Sequence, residues 1–131
     1  MKKTVIILGA LLIFSSELAA SSSNLKIKNQ VEFSIYGKSP FHLAISKGDF
    51  EAVKKFVLYG TDINKKVNNM TPLMVAARFN QFEIINFLLL HKANPSIENS
   101  HGFTALDYAE YAKSTESIAI LKKIKEGSKK E

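Results

Sequence analysis

The chain has 131 residues, no cysteine and a formal net charge of +6 from 18 basic and 12 acidic side chains. That length holds one domain, and the missing thiols exclude cysteine nucleophiles, thiolate metal sites and disulfides, so stability must come from packing. The lysines are scattered, which argues against a nucleic-acid interface. The dense stretch Lys122-Lys123-Ile124-Lys125 with Lys129-Lys130 reads as a solvated tail, with an acidic partner or an anionic membrane surface as its other use.

Residues 1–20 have the layout of a secretory signal peptide. Lys2 and Lys3 form the positive start, Val5 to Phe14 is an apolar run of about ten residues, and Leu18-Ala19-Ala20 fits a cleavage site before Ser21. A membrane span needs roughly 20 apolar residues, so the run is short for one. The other reading is an uncleaved N-terminal anchor. Removing Lys2, Lys3 and Glu17 leaves 16 basic minus 11 acidic side chains, a charge of +5 for residues 21–131. The segment resembles bacterial export signals, which implies a periplasmic or secreted product.

Residues 21–36 begin with the polar linker Ser21-Ser22-Ser23-Asn24. Leu25, Ile27, Val31, Phe33 and Ile35 then alternate with polar neighbours as far as Tyr36. Period two predicts a short extended arm with one buried face, laid against the unit that follows.

From there the chain repeats. Ser39-Pro40-Phe41-His42-Leu43-Ala44 recurs in outline as Thr71-Pro72-Leu73-Met74-Val75-Ala76 and as Thr104-Ala105-Leu106-Asp107-Tyr108-Ala109, with offsets of 32 residues (40 to 72) and 33 (72 to 105). Units of this size cannot bury an apolar face alone, so they stack. Each reads as helix, tight turn, helix and loop, over about 34–65, 66–98 and 99–126. Thr71 caps a helix whose first position is Pro72, where no N–H is needed. Gly48 and Asn80 fall at the same place and suit the left-handed turn that ends a helix.

The second helices carry Phe50, Val53, Phe56 and Val57, then Phe82, Ile85, Leu88 and Leu89, then Ile118, Ile120, Leu121 and Ile124, on one side. Ser114-Thr115-Glu116 offers a cap for the last, expected over Ser117 to Lys125. Gly60 closes the first of these helices. Lys92 and Lys125 stand at the matching places, where a left-handed lysine costs about 1 kcal/mol, so both turns are expected to lose the usual geometry. Lys122, Lys123 and Lys125 wet the outer side of the last helix, as a closing repeat requires.

The spacing and the T-P-L-H-x-A core resemble the ankyrin repeat over residues 37–126, leaving 127–131 as a basic tail. The resemblance implies an all-α solenoid of about three helix-turn-helix repeats, a monomer, behind the short N-terminal arm. It also implies a protein-binding module that uses loop tips and the ends of its first helices. Carried over by position, the partner-binding residues are Tyr36, Lys38, Lys47, Asn68, Met70, Arg78, Phe79, His101, Phe103 and Tyr111. Small ankyrin proteins of bacterial envelopes suggest an immunity or inhibitor protein, or an accessory in oxidative-stress defence. A secreted factor binding a host protein is the other reading. The membrane enters only through an uncleaved signal or the basic tail.

No catalytic, cofactor or metal site is expected. His42 stands at the histidine of the repeat motif, which in the family is structural; His91 ends a helix and His101 lies at a loop tip. None has a second ligand at metal spacing. Asp107 with Glu110 reads as a solvated helix face, and neither a Gly-x-Ser-x-Gly elbow nor a glycine-rich phosphate loop is present.

Overall fold

A computed structural model describes Tyr36 and residues 39–130. The expected leader, most of the arm, and Lys38 lie outside the described residues. Tyr36 itself, the last residue of the expected arm, has helical rather than extended backbone.

Six helices follow: α1 Pro40–Lys47, α2 Phe50–Leu58, α3 Pro72–Arg78, α4 Phe82–Leu90, α5 Ala105–Tyr111 and α6 Thr115–Ser128. Each first helix starts on a hydroxyl. Ser39, Thr71 and Thr104 accept from the backbone N–H three residues on, satisfying a donor that the helix leaves orphaned. Asp107 completes a capping box by accepting from Thr104 N–H at 2.8 Å. The Met74 thioether takes that place in α3, 3.4 Å from Thr71 N.

The three turns inside the repeats share one hydrogen-bond pattern. Asp49 N–H donates to Ala44, Gln81 to Ala76 and Ser114 to Ala109, each at 2.9 Å. That closure demands a left-handed residue, and Gly48, Asn80 and Lys113 have φ of 72°, 51° and 56°. Gly60 and Lys92 end α2 and α4 the same way, with φ of 86° and 70°. Lys92 thus keeps the geometry that its side chain was expected to forbid. The bond from Ala93 N–H to the Leu88 carbonyl, 2.9 Å, survives because a hydrogen bond worth about 1 kcal/mol offsets a strain of similar size. Lys125 needs no turn at all, because α6 continues to Ser128. Lys92→Gly with Lys113→Gly is expected to raise the unfolding free energy by roughly 0.5–1 kcal/mol in total, read as a higher urea midpoint.

The helices form two layers. α3 packs between α1 and α5, α4 between α2 and α6, and each first helix rests on its own second helix. Residues 72–77 of α3 are all buried, with Ala76, Ala77 and Ala109 allowing close approach. Val53, Ile84, Ile85, Leu88 and Leu121 complete the core from the second layer. Phe82, expected in that row, is instead 40% exposed.

Polar side chains tie each repeat to the next. Asn64 accepts from Asn94 N–H at 2.8 Å, and Asn69 accepts from Ser100 N–H at 2.9 Å. Asn80 Oδ1 accepts from the Ser117 hydroxyl at 2.7 Å and from Ser117 N–H at 3.3 Å, while its Nδ2 donates to Glu116 at 2.8 Å. The α6 N-terminus is therefore capped from the preceding repeat, whereas Ser114 makes no side-chain cap bond. The same amide beside Glu116 holds that carboxyl below its ordinary value, with its backbone N–H and the Thr115 hydroxyl adding to the effect.

His42 is the corresponding tie between repeats one and two. Its Nε2 lies 3.1 Å from the Met70 carbonyl, which can only accept, so Nε2 carries the proton and Nδ1 accepts from the Ser39 hydroxyl at 2.8 Å. Burial is the main cause that holds the imidazole below its ordinary value of 6.5. The unfolded chain then takes up a proton near pH 6.5 while the folded chain stays neutral. This contribution to stability is complete above that pH and is lost as the pH falls from there towards the folded-state value. The slope is at most about 1.4 kcal/mol per pH unit. Denaturant midpoints across this window should show it, and His42→Gln should flatten it; an unchanged slope in the variant would place the proton elsewhere.

Candidate protein-binding surface

Two hairpins project between the repeats. Val67 and Met70 exchange both backbone bonds, at 2.9 and 3.1 Å, around Asn68 and Asn69, whose φ of 49° and 63° suit a two-residue loop. The next hairpin is one residue longer. Phe103 closes on Asn99 at 3.0 Å, Gly102 takes φ 79°, and Asn99 Oδ1 accepts from the N–H of His101 and of Phe103 at 3.0 Å each. A rigid buried amide thus fixes an exposed loop carrying His101 and Phe103.

The expected contact residues divide. Tyr36 and Met70 are 1% and 5% exposed, so neither is a contact tip. The Tyr36 hydroxyl lies 3.6 Å from the Met70 sulfur, and the His42 bond to the Met70 carbonyl anchors that strand end over α1. Phe79 is half-buried, edge-on to Tyr36 at 6.2 Å, with the Arg78 guanidinium 5.8 Å from its ring. It is a wall of the core that also carries a cation. Lys47, Asn68, Arg78, His101, Phe103 and Tyr111 are exposed.

Ser46, Arg78 and Tyr111 are equivalent positions on α1, α3 and α5 by the 32- and 33-residue offsets. Ser46 is buried, its hydroxyl donating to the Leu43 carbonyl. Arg78 and Tyr111 remain open, on two helices packed side by side. Tyr111 is 89% and Phe103 49% exposed, and the His101 ring lies 6.3 Å from Phe103. Such aromatic and arginine side chains are enriched in interface cores. Phe103, Asp107, Tyr108, Glu110 and Tyr111 line a cleft of about 430 Å³ on this side. A second hollow, about 490 Å³, lies between the loop before α5 and the side chains of Leu106, Leu121 and Ile124.

One exposed group escaped the sequence reading. Leu58, Tyr59 and Leu90, at the ends of α2 and α4, are 81%, 84% and 81% exposed. Leu58 and Leu90 share a repeat register, and both fall outside the three- and four-residue steps that mark the core. A leftover apolar residue at one register in two units was the available signal. Among the described residues no three His, Asp or Glu side chains converge as metal ligands would, and no helix is long and apolar enough to cross a membrane.

Comparison with known proteins gives the same architecture. The family model for ankyrin repeats, in three copies, matches residues 11–99 and 41–130. The chain is 32% identical over 107 residues to the phosphocholine transferase AnkX of Legionella pneumophila, covering 80% of this chain and 11% of that protein. It is 30% identical over 115 residues to human transient receptor potential cation channel subfamily A member 1, covering 86% and 10%. Myotrophin of Xenopus tropicalis is 42% identical over 59 residues, 44% of this chain and 50% of myotrophin. The chain spans about a tenth of the first two relatives, and what it shares with them is the repeat region. Matched from residue 11 to residue 130 and built of three stacked helix pairs, the chain belongs to the ankyrin repeat family.

Proposed function

We propose that this ankyrin-repeat chain is an exported, non-catalytic module that binds another protein through the surface carrying Arg78, His101, Phe103 and Tyr111. Ankyrin repeats generally mediate protein–protein interactions. The observation that carries the reading is Tyr111: a large aromatic at 89% exposure beside a half-exposed Phe103, on a helix otherwise locked into the core by Ala105 and Ala109. The signal-like residues 1–20 support a periplasmic or secreted setting. In that setting the module serves as an immunity or inhibitor protein for a secreted effector, or as an accessory in oxidative-stress defence. A toxin gene beside this one favours the first and a catalase gene the second.

Affinity capture from native cell envelope tests the surface. Phe103→Ser with Tyr111→Ser should lose the captured protein. Because both side chains are exposed, the unfolding free energy should change by no more than about 1 kcal/mol. Retention of the same protein by the double variant would contradict the surface.

A further inference from the structure

The cleft on α5 has a chemistry of its own. Its walls are the rings of Phe103, Tyr108 and Tyr111, and its carboxylates are Asp107 and Glu110. Phe103 meets Tyr108 edge-to-face at 6.1 Å, and Asn99 Nδ2 donates to the Tyr108 hydroxyl at 2.7 Å, so two of the three rings are held in place. Asp107 Oδ2 is engaged by Thr104. Glu110 forms a solvent-exposed ion pair with Lys122 at 3.7 Å, too long for a hydrogen bond, so its carboxylate can still accept one. No basic residue lies between Ala105 and Tyr111. On a chain of net charge +6, α5 therefore presents aromatic faces and negative charge together.

The geometry points to a site for an arginine side chain of the partner protein, its guanidinium stacked on the Tyr111 and Tyr108 rings and hydrogen-bonded to Glu110. This rests on the protein-binding reading above and names what that surface takes. Aromatic faces attract cations through their quadrupole. A planar guanidinium also forks onto a carboxylate, which a lysine ammonium cannot do. The chain makes the aromatic half of this contact internally: Lys54 Nζ sits 4.4 Å from the Phe50 ring centre and Arg78 near Phe79. A free small ligand fits less well, because a cleft with one wall 89% exposed cannot enclose most of its surface. The guanidinium arrives on a polypeptide that also covers Tyr111. Lys122 flanks the cleft beside Glu110 and selects against a partner bearing further cations next to the arginine.

Titration of the full chain with a blocked peptide of alternating glycine and arginine, followed by two-dimensional NMR, tests this. Saturable shifts are expected in the α5 amides and in the Phe103, Tyr108 and Tyr111 ring signals, and none with the citrulline peptide. Glu110→Gln and Tyr111→Ala should each weaken binding about tenfold. An absent response, shifts away from α5, an equal response to the lysine peptide, or full affinity in Glu110→Gln would overturn the assignment. Partner capture that still depends on Tyr111 while the peptide stays silent would sink the arginine site alone. Loss of both dependences would sink the binding surface with it.

Discussion

Leu88→Ala is expected to lower the unfolding free energy by about 2–5 kcal/mol and to melt all six helices in one transition at the lower temperature. Leu88 has no exposed surface and sits on α4, which packs on both α2 and α6. Truncation there leaves a cavity between three helices, and rigid neighbours on both sides limit its collapse. A domain of this size has only about 5–15 kcal/mol in total, so the loss is a large part of the whole. Leu90→Ala, two residues on, is the control: the side chain is 81% exposed, and a change within about 0.5 kcal/mol is expected. Thermal unfolding followed by circular dichroism checks both. A Leu88→Ala protein that loses only part of its helix signal would mean that repeat two unfolds without its neighbours.

The second large effect is at Asn80. Asn80→Ala removes the acceptor from Ser117, whose side chain is wholly buried, and leaves an alanine at φ 51° without the local support an asparagine gives. The lost cap and the unsatisfied hydroxyl are each worth about 1 kcal/mol or more, and the left-handed strain adds roughly another. A total of about 2–4 kcal/mol is expected. Asn80→Gly separates the terms: it keeps the turn but loses both bonds to Ser117, so it should fall between the parent and the alanine variant. Asn80→Asp keeps the acceptor but sets a carboxylate against Glu116, and should be more stable at a pH that protonates Glu116 than at neutral pH. Equal stability of the alanine and glycine variants would show that the turn contributes nothing.

Three features of the fold were legible because they are local or periodic. The Pro40, Pro72 and Ala105 register, the Thr71 cap and the Gly48 and Asn80 turns all follow from residue type at fixed spacing, and the first helices stand where these signals put them. The rest depended on contacts between distant residues. No local rule shows that Asn80 caps a helix beginning 35 residues later, or that His42 draws the Met70 carbonyl inward and buries a methionine expected at a tip. Lysine at positions 92 and 113 argues against a left-handed turn on propensity alone, yet the backbone bonds of the repeat impose one. α6 overruns its expected end at Lys125 and continues to Ser128.

The candidate surface divides the same way. Phe103 and Tyr111 could be placed from the repeat register, since the ends of α1, α3 and α5 face one side. Phe79 could not, because the ring that covers it, Tyr36, was itself expected at an open loop tip. Tyr108, Asp107 and Glu110 were visible as a helix face, and the cleft they form with Phe103 needed the hairpin geometry fixed by Asn99.

Deleting residues 99–131 and following thermal unfolding by circular dichroism tests the central claim, that each helix pair is stable only against the next. The remaining four helices are predicted to lose their cooperative transition, because α3 and α4 would each expose the face that α5 and α6 cover. A truncated chain that still melts sharply, with the helical signal of α1 to α4 intact, would contradict it.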